Sequence, residues 1–242
     1  MRIVQVTDLH VGLEGEDTYG IDVRANFLKV KDAILQMRPD HIVVSGDLCF
    51  DTGDKSVYIW IKQHLDELKI PYDIISGNHD DPVMLAEIFG LNHCLHNKQL
   101  YFAKTIGGYP FLFLDTTSGH LSKEQLDWLQ SELEQHQREI VIFMHHPPLM
   151  AGVPFMDGKH ALKNQTEVQE ILYQHPYPIS IFTGHYHVEK NIRHGNTVVH
   201  ITPSCFFQIN QKEPEFKVDH YRIGFREITF ENGTIMDTVR YL

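Results

Sequence analysis

Three kinds of feature are scarce in this 242-residue chain, and each scarcity removes a class of protein. The cysteines are only Cys49, Cys94 and Cys205, odd in number, widely spaced and without CxxC geometry. That fits reduced thiols in a cytoplasmic protein and excludes a disulfide scaffold. No apolar run approaches the roughly 18–20 residues of a membrane span. The opening "MRIVQVTDLH" enters a strand pattern at once, without a signal-peptide core. The expectation is a cytoplasmic protein with no membrane partner. Finally, there is no run of Lys or Arg, and the net charge is −11 with histidine neutral. Broad attraction to nucleic acid or an anionic membrane is thereby excluded. An anionic substrate would need a local positive centre.

What is present is an ordinary globular composition, 42% apolar and 22% charged, in a chain long enough to bury a large core. No repeat, low-complexity tract or Pro/Gly/Ser linker interrupts it, so residues 1–242 read as a single domain. Strand-like runs at 2–6, 41–45, 72–76, 110–114, 140–144 and 179–183 alternate with amphipathic stretches at 22–37, 54–68, 122–137 and 163–174. Ser122 with Gln125 is a capping-box signature. This βαβ rhythm predicts an α/β fold with buried early strands. The last sixty residues read differently. Runs at 197–202, 205–210, 220–230 and 235–240, with an Asn232-Gly233 hairpin signal, predict a second, largely antiparallel sheet drawn mainly from 191–242. A late edge strand would also let two copies pair as a homodimer.

Histidine is the outlier, at 17 residues, and its placement is ordered. Five strand-like runs end in metal-capable side chains: Asp8 and His10 in "VTDLH", Asp47 in "SGDL", Asn78 and His79 in "SGNHD", His145 and His146 in "HHPP", and His185 and His187 in "GHYH". Ligand groups of α/β sheets lie just beyond the carboxyl ends of strands. Asp8/His10 and His185/His187 are spaced by two, which on extended backbone puts both side chains on one face. Nitrogen and oxygen donors without thiolate suit zinc, iron or manganese better than calcium or magnesium. Seven ligands are too many for one tetrahedral ion. Two ions sharing a carboxylate would use them, and such pairs clamp the attacking and departing oxygens in phosphoryl transfer. Two divalent ions against Asp8 and Asp47 leave a centre of about +1 after a bound hydroxide, suited to a phosphodiester monoanion.

The series DxH…GD…GNHD…HH…GHxH, in order across residues 8–187, resembles the calcineurin-like metallophosphoesterase superfamily. The resemblance implies a four-layer αββα sandwich of two facing mixed sheets. It implies one ion on Asp8, His10, Asp47 and His187, and a second on Asp47, Asn78, His145 and His185, with Asp47 bridging. It gives His79 the role of stabilising the phosphorane or protonating the leaving oxygen. More narrowly, "HHPPLMAGVPFMDGKHALKN" (145–164), "TPSCFFQ" (202–208) and the closing "YRIGFREITFENGTIMDTVRYL" are similar to the class III cyclic-nucleotide phosphodiesterases and their glycerophosphodiesterase relatives. That implies hydrolysis of a small phosphodiester by a metal-bound hydroxide. A 3′,5′-cyclic nucleotide such as cyclic AMP is the first choice and a glycerophosphodiester the alternative. In that group the segment after the fourth motif covers the site, which makes His146, Asp157 and Asn164, with Asn78, candidates for substrate binding. Phosphomonoesterases of the superfamily follow the GD and GN motifs with arginines; "GDLCFDTG" and "GNHDDP" contain none, which favours diesters. A non-catalytic scaffold of the same fold is the remaining alternative, disfavoured because every ligand position is filled.

Other conspicuous residues receive structural readings. Asp80 is either the N-cap of a helix over 81–89 or a partner for a ligand histidine. Cys205-Phe206-Phe207 reads as core of the second sheet rather than a binding wall. Tyr58 and Trp60 read as packing on the sheet, and His160 as a histidine without substrate contact.

Overall fold

The central strands bury side chains alternately on two sides. In β1 (Arg2–Val6), Ile3 joins one apolar cluster while Val4 and Val6 join another; in β2 (His41–Ser45), Val43 separates from Ile42 and Val44 in the same way, as does Ile75 from Ile74 in β3 (Tyr72–Ile75). A strand apolar on both faces has to be covered on both. That requirement sets the layers of the fold, seen here in a computed structural model that describes all of residues 1–242.

The remaining strands are β4 (Leu95–His96), β5 (Gln99–Leu100), β6 (Phe102–Ile106), β7 (Tyr109–Leu114), β8 (Ile140–Met144), β9 (Ile179–Thr183), β10 (Lys190–His194), β11 (Thr197–Ile201), β12 (Gln208–Ile209), β13 (Val218–His220), β14 (Gly224–Glu231) and β15 (Thr234–Tyr241). The helices are α1 (Val23–Met37), α2 (Lys55–Glu67), α3 (Pro82–Phe89), α4 (Lys123–Gln135), α5 (Pro154–Lys159) and α6 (Gln165–Gln174). One sheet runs β15-β14-β1-β2-β3, parallel through β1–β3; the other runs β10-β11-β9-β8-β7-β6, parallel through its middle four strands. Between them lie Ile3, Val43, Ile75, Phe111, Phe113, Val141, Phe143, Phe182, Ile228 and Phe230. Phe27, Val30 and Ile34 of α1, with Ile61 of α2 and Leu85 of α3, cover the outside of the first sheet. Leu126 and Leu129 of α4 and Val168 of α6 cover the second. The result is the αββα sandwich.

A buried polar chain also ties the sheets. Gln5 Nε2 donates to Ser45 Oγ (2.8 Å) and to the Thr183 carbonyl (3.2 Å), and Thr202 Oγ1 donates to Gln5 Oε1 (2.6 Å). Arg226 donates to Thr202 and to the Ile201 carbonyl and pairs with Asp237. The buried side chains of Gln5, Thr202 and Arg226 thereby keep their partners, and the two sheets are pinned beside the carboxyl ends of β1 and β9.

Three expectations change. Apart from the short antiparallel pair β12–β13, the C-terminal strands do not build a sheet of their own: β10 and β11 extend the second sheet, while β14 and β15 extend the first. Each central parallel sheet had an open edge whose backbone groups needed partners, and the tail supplies both. The capping box is half made: Ser122 accepts the Gln125 amide, but the Gln125 side chain turns to the backbone of Asp115. Trp60 lies against Phe27 and under the Arg24 guanidinium rather than on the sheet, whereas Tyr58 is buried.

Candidate metal centre

The five motif segments leave the strands into tight turns rather than continuing them. Asp8, His10, Asp47, His185 and His187 all hold positive φ, between 46° and 64°. The two-residue pairs therefore converge through left-handed backbone and not, as their spacing suggested, through extended strand. Such conformations cost of order 1–3 kcal/mol each and persist only where surroundings enforce them. Here neighbouring turns enforce one another. The amides of Asp8, His10 and Val11 donate to the carbonyls of Gly46, Asp47 and Leu48 at 2.8–3.0 Å, and the Gly184 amide donates to the His145 carbonyl. The approach is close enough that a Cβ at Gly77 would strike Asp47, and one at Gly184 would strike Thr7 and Asp8.

Asp80 is neither of the things its sequence position suggested. Asp81 caps α3, accepting the amides of Val83 and Met84. Asp80 instead accepts the amides of Leu48, Cys49 and Gly77, and the Tyr58 hydroxyl at 3.0 Å. It thus clamps the turn carrying Asp47 to the turn carrying Asn78 and His79. Burial and the nearby Asp47 charge push its pKa up to about 6.

Each of four motif histidines gives one ring nitrogen to a backbone carbonyl and leaves the other without a backbone partner. His145 Nδ1 meets the Ser45 carbonyl (2.9 Å), His187 Nδ1 that of Phe207 (3.0 Å), His79 Nδ1 that of Asp51 (2.9 Å), and His185 Nε2 that of His160 (2.9 Å). This fixes tautomer and orientation as in metal-bound histidines. The remaining nitrogens face the carboxylates. His187 Nε2 is 3.2 Å from Asp8, His145 Nε2 is 3.1 Å from Asp47 Oδ2, and His10 Nε2 is 3.7 Å from that same oxygen. Despite that approach, His145 Nε2 is fully buried without a well-aligned hydrogen bond, which is costly unless a cation takes the lone pair.

Three overlapping sets can each surround an ion: Asp8, His10 and His187; His10, Asp47 and His79; and Asp47, His145 and His185. Asp47 belongs to two of them, and His79 stands near enough to His10 to serve as a ligand. Electrostatics agree with a cation-seeking centre. Burial would raise Asp8, but His187 and His145 hold it down at about 2; Asp47 is likewise held well below the usual range against its burial. Burial would lower His145, yet the two carboxylates lift it to about 9. His10 and His185, where burial dominates, fall to about 3 and stay neutral, as ligands must be. The donor set fits a pair of metal ions.

Asn78 and His79 line a cleft of about 410 Å³ that opens onto His10, Asp47, His185 and His187, a size suited to a small molecule. Three expected substrate residues are not there. His146 is buried behind His185, its ring 4.0 Å away and its Nδ1 on Thr116. Asp157 accepts the amides of Ala151 and Val153 and the Tyr186 hydroxyl. Asn164 binds both backbone groups of Leu121. Each is used up in shaping the covering segment, whose contribution to the cleft is instead Phe155, Met156 and His160. Phe206 and Phe207 are buried in the apolar cluster of the second sheet, as read, but they lie in a loop and also form cleft wall. Tyr19, Phe50 and Phe216 were missed, although Tyr19 in "DTYG" is a large aromatic within a polar turn, which is a legible signal.

Residues 1–189 match the model of the calcineurin-like phosphoesterase family. A Fibrobacter succinogenes protein named "probable cyclic nucleotide phosphodiesterase" is 36% identical over 87% of this chain and 82% of its own length. The 3′,5′-cyclic adenosine monophosphate phosphodiesterase CpdA of Escherichia coli K12 is 28% identical over 100% of this chain and 90% of its own. Among solved structures, a dimetal phosphatase from Danio rerio superposes with a TM-score of 0.73 at 13% identity, covering 99% of this chain and 96% of that one.

Proposed function

This chain belongs to the calcineurin-like phosphoesterase family, and from that premise we propose that it hydrolyses a 3′,5′-cyclic nucleotide to the 5′-monophosphate at a two-metal centre. The observation that carries the substrate class is the cleft lining. Half of its sixteen residues are hydrophobic, and none is Lys or Arg. A phosphomonoester dianion would need cationic side chains there; a diester monoanion needs only the metal charge, and an apolar wall suits a substrate with a large planar part.

In this reading Asp8, His10, Asp47 and His187 hold one ion and Asp47, Asn78, His145 and His185 the other, with iron, manganese and zinc all compatible. When bound, the ions supply Lewis acidity, acidifying a water and absorbing charge on the phosphoryl oxygens. The remaining work falls to the chain. Asp47 stands between the two sets, its Oδ1 tied to the His79 amide at 2.9 Å. His79, with Nδ1 committed to Asp51, has Nε2 left to hydrogen-bond or protonate the departing oxygen. The carbonyl-pinned rings keep their tautomers through turnover, so little reorganisation accompanies charge development.

No helix is long and apolar enough to cross a membrane. The three cysteines are unpaired and buried, which supports a reducing, cytoplasmic setting. The open edge of β15 is where two copies would pair.

The test is a substrate panel with Mn²⁺-loaded protein, comparing kcat/KM for cyclic AMP, cyclic GMP, glycerophosphoethanolamine and a matched aryl monoester. Cyclic nucleotides should lead by at least about tenfold, roughly 1.4 kcal/mol of transition-state preference. A lead by either of the other classes overturns the reading.

A further inference from the structure

The cleft is walled by aromatic rings that the chemistry above leaves unused, and two of them stand out into solvent. Tyr19 is 73% and Phe216 52% exposed. Tyr19 also holds φ 56°, a conformation that a bulky side chain seldom adopts. Its ring packs on two others: Phe206 at 6.1 Å with planes 13° apart, and Phe50 edge-on at 5.3 Å. Phe216 leans on Phe155 and Phe207, 5.7 Å from each. Phe206 and Phe207 meet at 4.4 Å and lie 5.2 Å and 5.0 Å from His10 and His187 respectively. Together they form a trough that leads out from the metal centre, floored by Phe206 and Phe207 and flanked by Tyr19 and Phe216. An exposed ion pair, Lys159 to Glu215 at 2.6 Å, joins α5 to the loop bearing Phe216 and steadies that wall.

We infer that this trough is a subsite for a planar heteroaromatic ring, the base of the nucleotide, with Tyr19 and Phe216 as its specificity-determining residues. The inference rests on the cyclic-nucleotide reading for the identity of the ring. Aromatic faces stack on any base and need no hydrogen-bond code. A polyol headgroup would instead place hydroxyls against Phe206, Phe207 and Phe216, which offer them no partner. The strained, solvent-facing Tyr19 belongs to none of the apolar clusters of the fold, and a ring stacked over Phe206 and Phe207 gives it a purpose.

The experiment measures inhibition of bis(p-nitrophenyl) phosphate hydrolysis by AMP and by ribose 5-phosphate, in the wild type, Tyr19→Gly and Phe216→Ala. Stacking changes affinity by about 5- to 150-fold per base, so the wild type should favour AMP by at least about tenfold. Each variant should cut that ratio about fivefold or more, and because both inhibitors are read on one sample, partial loss of activity cancels. Tyr19→Gly should melt no lower than the wild type, since glycine suits the left-handed turn. A wild-type ratio near one, or a ratio unchanged in both variants, overturns the subsite. If AMP preference holds but cyclic AMP is not hydrolysed, the substrate reading fails and the subsite stands; the converse sinks the subsite alone.

Discussion

The Nε2 atoms of His10 and His187 face each other at 3.1 Å, although 177 residues separate them in the chain. Two nitrogens each about 2.0–2.1 Å from one tetrahedral ion are separated by roughly 3.3–3.4 Å, so the folded chain brings them almost to ligand spacing. Adding Mn²⁺ or Zn²⁺ to chelator-treated protein should therefore raise Tm. At 100–1,000 times Kd the gain is about 3–4 kcal/mol, or roughly 5–15 °C for a chain of this size. His10→Ala with His187→Ala should lose most of that rise by calorimetry; an undiminished rise would locate the metal elsewhere.

Asp47 is shared by two of the three ligand sets, so its loss should remove both ions' common anchor. Asp47→Ala should hold less than one metal per chain by elemental analysis, with turnover down by more than about 10³. A variant that keeps most of its activity refutes the bridge.

His79→Ala separates the two roles that its position permits. As a proton donor it should cost about 10²–10⁴ in kcat while metal content stays at two per chain. If metal content drops instead, His79 is a ligand, as its nearness to His10 and Asp47 allows.

Tyr58→Phe removes a single hydroxyl that donates to Asp80 and accepts the Asp81 amide at 2.9 Å. The buried clamp then lacks one partner, a loss of about 1–3 kcal/mol in urea unfolding. Metal affinity should weaken about 10- to 100-fold, since the clamp orients the ligand turns. Wild-type metal affinity in this variant would mean that Asp80 holds the turns unaided.

Asp73 lies at the opposite ends of the strands from the metal centre, 2.8 Å from His41 Nε2 and 2.8 Å from Lys104 Nζ. Burial would raise its pKa, but these two hydrogen bonds outweigh it and hold the carboxyl below its ordinary value. Its stabilising contribution is thus present above about pH 4, the unfolded value, and is lost as pH falls through the folded one. Because Lys104 is partly exposed, Asp73→Asn should cost about 1–3 kcal/mol at pH 7. The gap between variant and wild type should close towards pH 3 in urea titrations; a constant gap would deny the linkage.

The sequence by itself determined the elements and the kind of chemistry. Near-continuous apolar runs at 2–6, 41–45 and 140–144 demand strands covered on both faces, and Asp22, Asp54 and Ser122 begin helices by local hydrogen bonding. Donors set just past strand ends made two metals and a phosphodiester readable, because apolar runs and capping act over a few residues and leave a local imprint. Tertiary structure alone decided where the tail's strands docked, that Asp81 rather than Asp80 caps α3, and that His146, Asp157 and Asn164 serve the covering segment while Tyr19, Phe206, Phe207 and Phe216 face the cleft. It also decided the left-handed turns and the carbonyl that fixes each histidine tautomer. These depend on distances between segments far apart in the chain, and no local pattern records a distance that exists only once both sheets have packed.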